Sequence, residues 1–359
     1  MKIKTYTIIT LILINSISCT SIRPISNADN QEVSKATLKA STNQVEVVTK
    51  STTTPPTQPV RKNSQKVLNH CKKVDKYFAK YKWGKSNCSD YTWHHVRSSH
   101  WGNPIVWHTF GNEEAHKQKP LNTTMILCGV HGDEITPIKF CFDVIADLKK
   151  NPHIIGDGLV IVAPIVTPDS FFRKKPTRTN GRGIDVNRNF PTKDWNALAK
   201  KMWVNRYGKD KRRFPGYKSL SEQETIFQVN LIKRYKPNKI VSVHSPLTLI
   251  DYDGPALSHG KQSSGEQLLI QMSDKAGKYR VNNYPFFPGS LGNWAGNERH
   301  IPTYTLELPN SDWNKTKRFY KTLRLAIHHV IQHDLSHDMN DKRVTKNKER
   351  NKKTNDKVL

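Results

Sequence analysis

His131 and Glu134 stand three residues apart, with Gly132 between them. Imidazole nitrogen and carboxylate oxygen are both good zinc donors, and the glycine would let the chain curl so that both reach one ion. His244 follows the apolar run Ile240-Val241-Ser242-Val243 and offers a third donor. Catalytic zinc sites use three protein ligands and leave a fourth position for water, so the set has the right number. The His-x-x-Glu spacing alone arises often by chance, and a lone strand histidine is more often a buried core group. Two further features add chemical content. Residues 181–191, Gly-Arg-Gly-Ile-Asp-Val-Asn-Arg-Asn-Phe-Pro, gather a carboxylate, carboxamides and guanidiniums in one stretch, and Glu307 closes the apolar run Tyr304-Thr305-Leu306.

Those residues need elements that bring them together. Residues 125–130, 240–243 and 304–306 read as strands that end in polar groups of catalytic type, and 159–165 as a strand without one. Between them, residues 135–149 put Ile138, Cys141, Phe142, Ile145 and Leu148 on a helical period. Residues 221–233 open with Ser221-Glu222-Gln223-Glu224, the spacing of a capping box. The alternation predicts an α/β fold, a single domain with a mostly parallel mixed sheet flanked by helices. In open sheets of this kind ligands sit beyond the carboxyl ends of the strands, so the two histidines and Glu307 are expected to converge.

The ordered combination of His-x-x-Glu, Gly183-x-Asp185-x-Asn187-Arg188-Asn189, His244-Ser245 and Glu307 resembles the zinc carboxypeptidase family over residues 120–309. The resemblance implies one zinc ion held by His131, Glu134 and His244. It implies that Asp185 fixes the tautomer of His131 from behind, and that Asn187 and Arg188 bind a terminal carboxylate. Arg178 would stabilise the oxyanion. Arg173 is the rival, and the preference rests on the seven-residue spacing from Arg178 to Asp185. Glu307 would act as general base and acid. Residues 284–296 and 301–309, with Asp251-Tyr252-Asp253-Gly254-Pro255, look like the bacterial murein peptide amidase A branch of that family, with 284–296 as a pocket rim. That branch implies a peptidoglycan stem peptide cut at the γ-D-glutamyl–meso-diaminopimelate bond, with Asp253, or else Asp251, facing the distal ammonium. Digestive members carry a mobile tyrosine where this chain has Pro285; Tyr284 or Tyr252 is the candidate to replace it.

The charge fits such a substrate. The 359 residues carry a net charge of +28, and 35% are hydrophobic. With a mean hydropathy of −0.69, a polytopic membrane protein is excluded. Residues 171–218 hold 15 basic and 3 acidic residues, a field suited to acidic peptides and weakened by salt. A nucleic-acid partner would call for a recognised fold or a groove of interleaved aromatics, and neither is evident. The patch Trp93-His94-His95, His100-Trp101 and Trp107-His108 reads as strand and core.

The ends differ from this body. Residues 1–18 read as a signal peptide with Lys2 and Lys4 before a short apolar core, too short to span a bilayer. Cys19 follows small residues as in a lipobox, so residues 19–65 read as a lipidated flexible tether, with Thr20 favouring the outer membrane. The catalytic domain is expected at 66–335 and a basic disordered tail at 336–359, in a monomeric periplasmic lipoprotein of a bacterial envelope. Cys71 and Cys88 could pair in an oxidising periplasm, whereas Cys128 and Cys141 read as buried free thiols. Two other classes compete: a zinc deacylase of the aspartoacylase type, and a non-catalytic peptidoglycan-binding lipoprotein. The Asn187-Arg188-Asn189 context and the presence of every ligand and of Glu307 favour the peptidase.

Overall fold

The computed structural model describes residues 62–256 and 262–335. The signal peptide, Cys19, nearly all of the tether and the tail lie outside these residues. The tether's last residues belong to the fold: Asn63 donates to Tyr91 O at 2.7 Å and accepts from Trp93 N at 2.8 Å, and Ser64 caps the first helix.

Among the described residues there are eight strands: β1 His94–Ser98, β2 Pro104–Phe110, β3 Thr123–Leu127, β4 Leu159–Ala163, β5 Lys239–His244, β6 Leu249–Asp253, β7 Val281–Asn282 and β8 Thr303–Glu307. They form one sheet in the order β1-β2-β4-β3-β5-β8-β6-β7. The four apolar runs of the sequence are its parallel centre, β4-β3-β5-β8. β2 joins antiparallel at one side, and β6 joins antiparallel at the other.

β3, β4 and β5 are buried throughout because helices cover both faces. The helices are α1 Gln65–Lys80, α2 Glu113–Gln118, α3 Ile135–Lys150, α4 Pro168–Phe171, α5 Lys200–Asn205, α6 Gln223–Tyr235, α7 Ser264–Lys275 and α8 Thr316–Gln332. Alternate strand residues divide the core. Ile126, Val160, Val162, Val241 and Val243 pack with α1, α3, α7 and α8. Met125, Leu127, Ile161 and Ile240 pack with α6, Phe190 and Trp294. The period-2 alternation of a strand therefore sorts one apolar run into two layers.

Chain order reverses beside β3, whose neighbours are β4 and β5. That is the switch point where an α/β sheet opens a crevice. The β5–β8 register sets His244 directly beside Glu307, and the β6–β8 register sets Leu249 on the other side of Glu307.

Two local expectations are corrected. Residues 221–224 form no capping box: α6 starts at Gln223 with Glu222 as its cap residue and no side-chain cap. Ser221 Oγ donates to Glu222, and the Asn180 amide donates to both Glu222 and Glu224. These side chains serve a neighbouring loop instead of their own helix. A complete capping box opens α7, from Ser263 and Glu266. Cys128 and Cys141 are not free thiols but a disulfide, with Cα atoms 6.2 Å apart. α3 runs back along the sheet, so its buried face meets the end of β3. Cys71 and Cys88 also pair.

The aromatic and histidine patch is largely core. Trp93 and Trp107 are buried, His94 stacks on Trp107 at 4.9 Å and pairs with Glu113, and Trp101 is exposed. No helix among the described residues is long and apolar enough to cross a membrane.

The Cys128–Cys141 bond closes a loop that contains His131 and Glu134. Its removal in a Cys128→Ala/Cys141→Ala variant is expected to cost about 3 kcal/mol of unfolding free energy. Denaturant titration without reductant measures this, and an unchanged midpoint at unchanged slope would refute it.

Candidate active site

The turn after β3 carries the first two donors. Gly132 has ordinary backbone angles, so curling is not its purpose. A Cβ there would run into Ser170 and the backbone of Phe171; the missing side chain lets α4 press against the turn. His131 Nδ1 lies 2.7 Å from Glu134 Oε1, and His244 Nδ1 lies 2.9 Å from Glu134 Oε2. The three donor atoms lie within 4.8 Å of one another, and all three residues are buried. It is the only such His/Cys/Asp/Glu group among the described residues.

The donor set fits a zinc ion. Both imidazoles turn Nδ1 inward and keep Nε2 for an outer partner. His131 Nε2 is 3.1 Å from Asp185 Oδ1, and His244 Nε2 is 2.9 Å from Ser242 Oγ. Such outer contacts fix tautomer and ring orientation at metal sites. Burial alone would raise the Glu134 pKa, but the imidazoles of His131 and His244 hold it well below the usual carboxylate range. The group is therefore an ionised oxygen donor.

Asp185 is fully buried and joins three parts of the site. It faces His131, accepts from Arg178 Nε at 3.0 Å and accepts from Asn187 N at 3.0 Å. Burial opposes its charge, yet Arg178 and His131 depress its pKa far below normal. Arg178 also reaches Glu134 Oε1 at 3.3 Å. Asn187 accepts from Leu291 N at 2.8 Å. The Arg188 guanidinium lies over the Phe287 ring at 4.8 Å, and its buried Nε has no acceptor.

His131, Glu134, His244, Arg178, Asn187 and Arg188 share one cleft of about 610 Å³ with Glu307, Asp251, Asp253 and Tyr284. Glu307 accepts from Leu247 N at 3.4 Å. Burial, and then the nearby Glu134, raise the Glu307 pKa against the pull of His244, which favours proton pick-up there. Asp251 accepts from Tyr284 N at 2.8 Å, and burial lifts its pKa to about 6. Asp253 is raised much further by burial and by Asp251. A Cβ on Gly292 would strike the Asp253 carboxylate, so that glycine keeps the floor open.

Several alternatives from the sequence differ in position. Arg173 does not line the cleft; its guanidinium stacks on Trp101 at 4.5 Å. Tyr252 is buried against Gly265, and its hydroxyl donates to Pro255 O. Tyr284 lines the cleft and is 38% exposed. Residues 284–292 contribute Pro285, Phe287, Ser290, Leu291 and Gly292 to the wall, whereas Trp294 and Ala295 pack in the core, so only the first part of the expected rim lines the cleft. Sequence reasoning missed Arg206, Tyr207, Arg212 and Arg213, which also line the cleft. Only the regional excess of positive charge pointed to them. Arg212 pairs with Asp133 at 2.8 Å and so ties its segment to the metal turn.

Comparison with known proteins supports the same picture. The profile of the zinc carboxypeptidase family matches residues 84–325. Murein peptide amidase A of Vibrio campbellii is 31% identical over 187 residues, covering 52% of this chain and 68% of that protein. Murein peptide amidase A of Escherichia coli K12 is 27% identical over 249 residues, covering 66% and 89%. The crystal structure of carboxypeptidase A from Helicoverpa armigera superposes with a TM-score of 0.52 at 16% identity, over 72% of each chain. The mixed, mostly parallel sheet is thus a carboxypeptidase A-like fold, and His131, Glu134 and His244 form its single zinc site.

Purified protein is expected to hold one zinc ion per chain, lost in His244→Ala. Asp185→Asn should weaken zinc binding about 10–100-fold. Competition with a chromogenic chelator measures both, and wild-type affinity in Asp185→Asn would show that His131 does not depend on that carboxylate.

Proposed function

This chain belongs to the zinc carboxypeptidase family, and from that premise we propose that it hydrolyses peptidoglycan stem peptides at the γ-D-glutamyl–meso-diaminopimelate bond. The observation that carries the reading is one cleft whose lining joins the zinc ligands and Glu307 to Arg188, Asp251 and Asp253. A substrate end with both carboxylate and ammonium groups matches that lining. The two relatives named murein peptide amidase A support the same substrate class.

In this reading Asn187 and Arg188 bind the terminal carboxylate of diaminopimelate. The guanidinium is suited to it, because its N–H fork matches carboxylate geometry. Arg178, held by Asp185, donates to the oxygen of the scissile carbonyl as negative charge develops there. Zinc, when bound, supplies Lewis-acid polarisation and lowers the pKa of water. Glu307 takes a proton from the attacking water as its oxygen bonds to the carbonyl carbon. It then returns that proton to the diaminopimelate nitrogen as the C–N bond breaks. Asp253, with Asp251 beside it, receives the distal ammonium.

The two disulfides suit an oxidising compartment, and a periplasmic enzyme would meet the wall directly. The same reading takes residues 1–18 as an export signal and Cys19 as a lipid anchor to the outer membrane. It takes the enzyme as a monomer with no nucleic-acid partner.

Incubation with the tripeptide L-alanyl-γ-D-glutamyl-meso-diaminopimelate should release free diaminopimelate, seen by mass, and a chelator should stop it. Glu307→Gln should lower kcat by roughly 10²–10⁴ with zinc content retained. Intact tripeptide in the presence of zinc-loaded wild type would overturn the reading. Asp253→Ala should raise KM for this peptide more than for an analogue lacking the distal ammonium; equal effects would remove Asp253 from substrate binding.

A further inference from the structure

The segment from α5 to Arg213 contributes a feature that the zinc chemistry does not use. Arg188 lies over Phe287 at 4.8 Å, and Arg206 lies over the same ring at 5.5 Å. Arg206 then approaches the Tyr207 ring at 5.8 Å, and Arg213 approaches that ring at 4.8 Å. Guanidinium and ring alternate in a ladder of five side chains, and all five line the cleft.

Stacking fixes a guanidinium through its flat face and leaves the N–H groups in its plane free to donate. It also does not neutralise the charge. Among the described residues, Arg188 and Arg206 make no ion pair, and Arg213 reaches only Asp210, at 3.5 Å through Nε. Arg212 differs, since Asp133 already neutralises it. Three positive charges thus face one cleft with a single loosely held carboxylate among them. One terminal carboxylate, on Arg188, leaves Arg206 without an ion pair and Arg213 with Asp210 alone.

We propose that Arg206 and Arg213, spaced by Tyr207, form a second carboxylate subsite that reads an acidic group on the side chain of the substrate's terminal residue. The proposal rests on the reading that the cleft takes the diaminopimelyl end of a stem peptide. The distal carbon of that residue bears a carboxylate and an ammonium. Asp251 and Asp253 answer the ammonium, and the ladder answers the carboxylate. The site then selects a zwitterionic side-chain end over one with an ammonium alone.

The test compares the tripeptide with its distal carboxylate free and the same tripeptide with that carboxylate amidated. Wild type should favour the free acid in kcat/KM by roughly ten- to a hundredfold, the range for a charge-assisted contact. Arg206→Gln and Arg213→Gln should each shrink that ratio, with zinc content and circular dichroism unchanged. Lys211→Gln, an exposed site outside the cleft lining, removes the same charge as a control and should keep the ratio. Equal turnover of the two peptides by wild type would overturn the subsite. So would a ratio that Lys211→Gln lowers as much as the arginine variants do, since that result describes a general field. If wild type cleaves neither peptide, the proposed function fails separately. Calorimetric binding of the two peptides to zinc-loaded Glu307→Gln then decides the subsite: a preference for the free acid that Arg213→Gln removes supports it, and equal affinity overturns it.

Discussion

A single buried carboxylate holds the site together. Asp185 has no exposed surface, and its charge is tolerable only because His131, Arg178 and the Asn187 amide all approach it. Burying an unpaired carboxylate is costly, and breaking a buried pair typically costs about 3–5 kcal/mol. The constraint runs both ways. Arg178 needs Asp185 to stay ordered among buried groups, and His131 needs it to keep Nδ1 turned toward Glu134. The loop at 178–189 is thereby fixed to the turn after β3, although 54 residues separate His131 from Asp185 in the chain.

The sheet supplies the rest of the geometry at little extra expense. Parallel strands deliver their last residues to one edge, so His244 and Glu307 become neighbours by register alone. β6 starts at that edge with Leu249 beside Glu307 and returns antiparallel along β8, which sets Asp251 opposite Thr305 and Asp253 opposite Thr303. Glycines then set the clearances, at Gly132 against α4 and at Gly292 against Asp253. Strands hold His244 and Glu307, the turn after β3 holds His131 and Glu134, and loops and the segment after α5 add the arginines of the cleft lining.

Much of this was legible in the sequence because it is local. An apolar run leading to a histidine or glutamate announces both a strand and its functional tip, and three of the four central strands follow that pattern, β4 being the exception. The stretch around Asp185, Asn187 and Arg188 was legible as a motif. What could not be read depends on tertiary approach. Cys128 and Cys141 pair because α3 folds back over β3, which no spacing rule encodes. Ser221 and Glu222 have the pattern of a helix cap but were drawn away by Asn180 and by each other. That Arg178 lines the cleft while Arg173 lies over the ring of Trp101, 72 residues before it in the chain, is likewise a tertiary fact. Arg206 and Arg213 were visible only as excess charge, because their meaning lies in the rings of Tyr207 and Phe287.

The distribution of charge within the cleft has a consequence beyond binding strength. Guanidiniums at 188, 206 and 213 and carboxylates at 251 and 253 all line the same cavity, so charges of both signs set up an electric field inside it. A group that carries one ammonium and one carboxylate has no net charge, and the protein's overall +28 does little to attract it. It does have a large dipole, and a field exerts a torque on a dipole. The cleft would therefore turn such a group to the matching orientation before any hydrogen bond forms. Because guanidiniums do not titrate in the physiological range, the sharpness of that alignment is governed from the aspartate side alone.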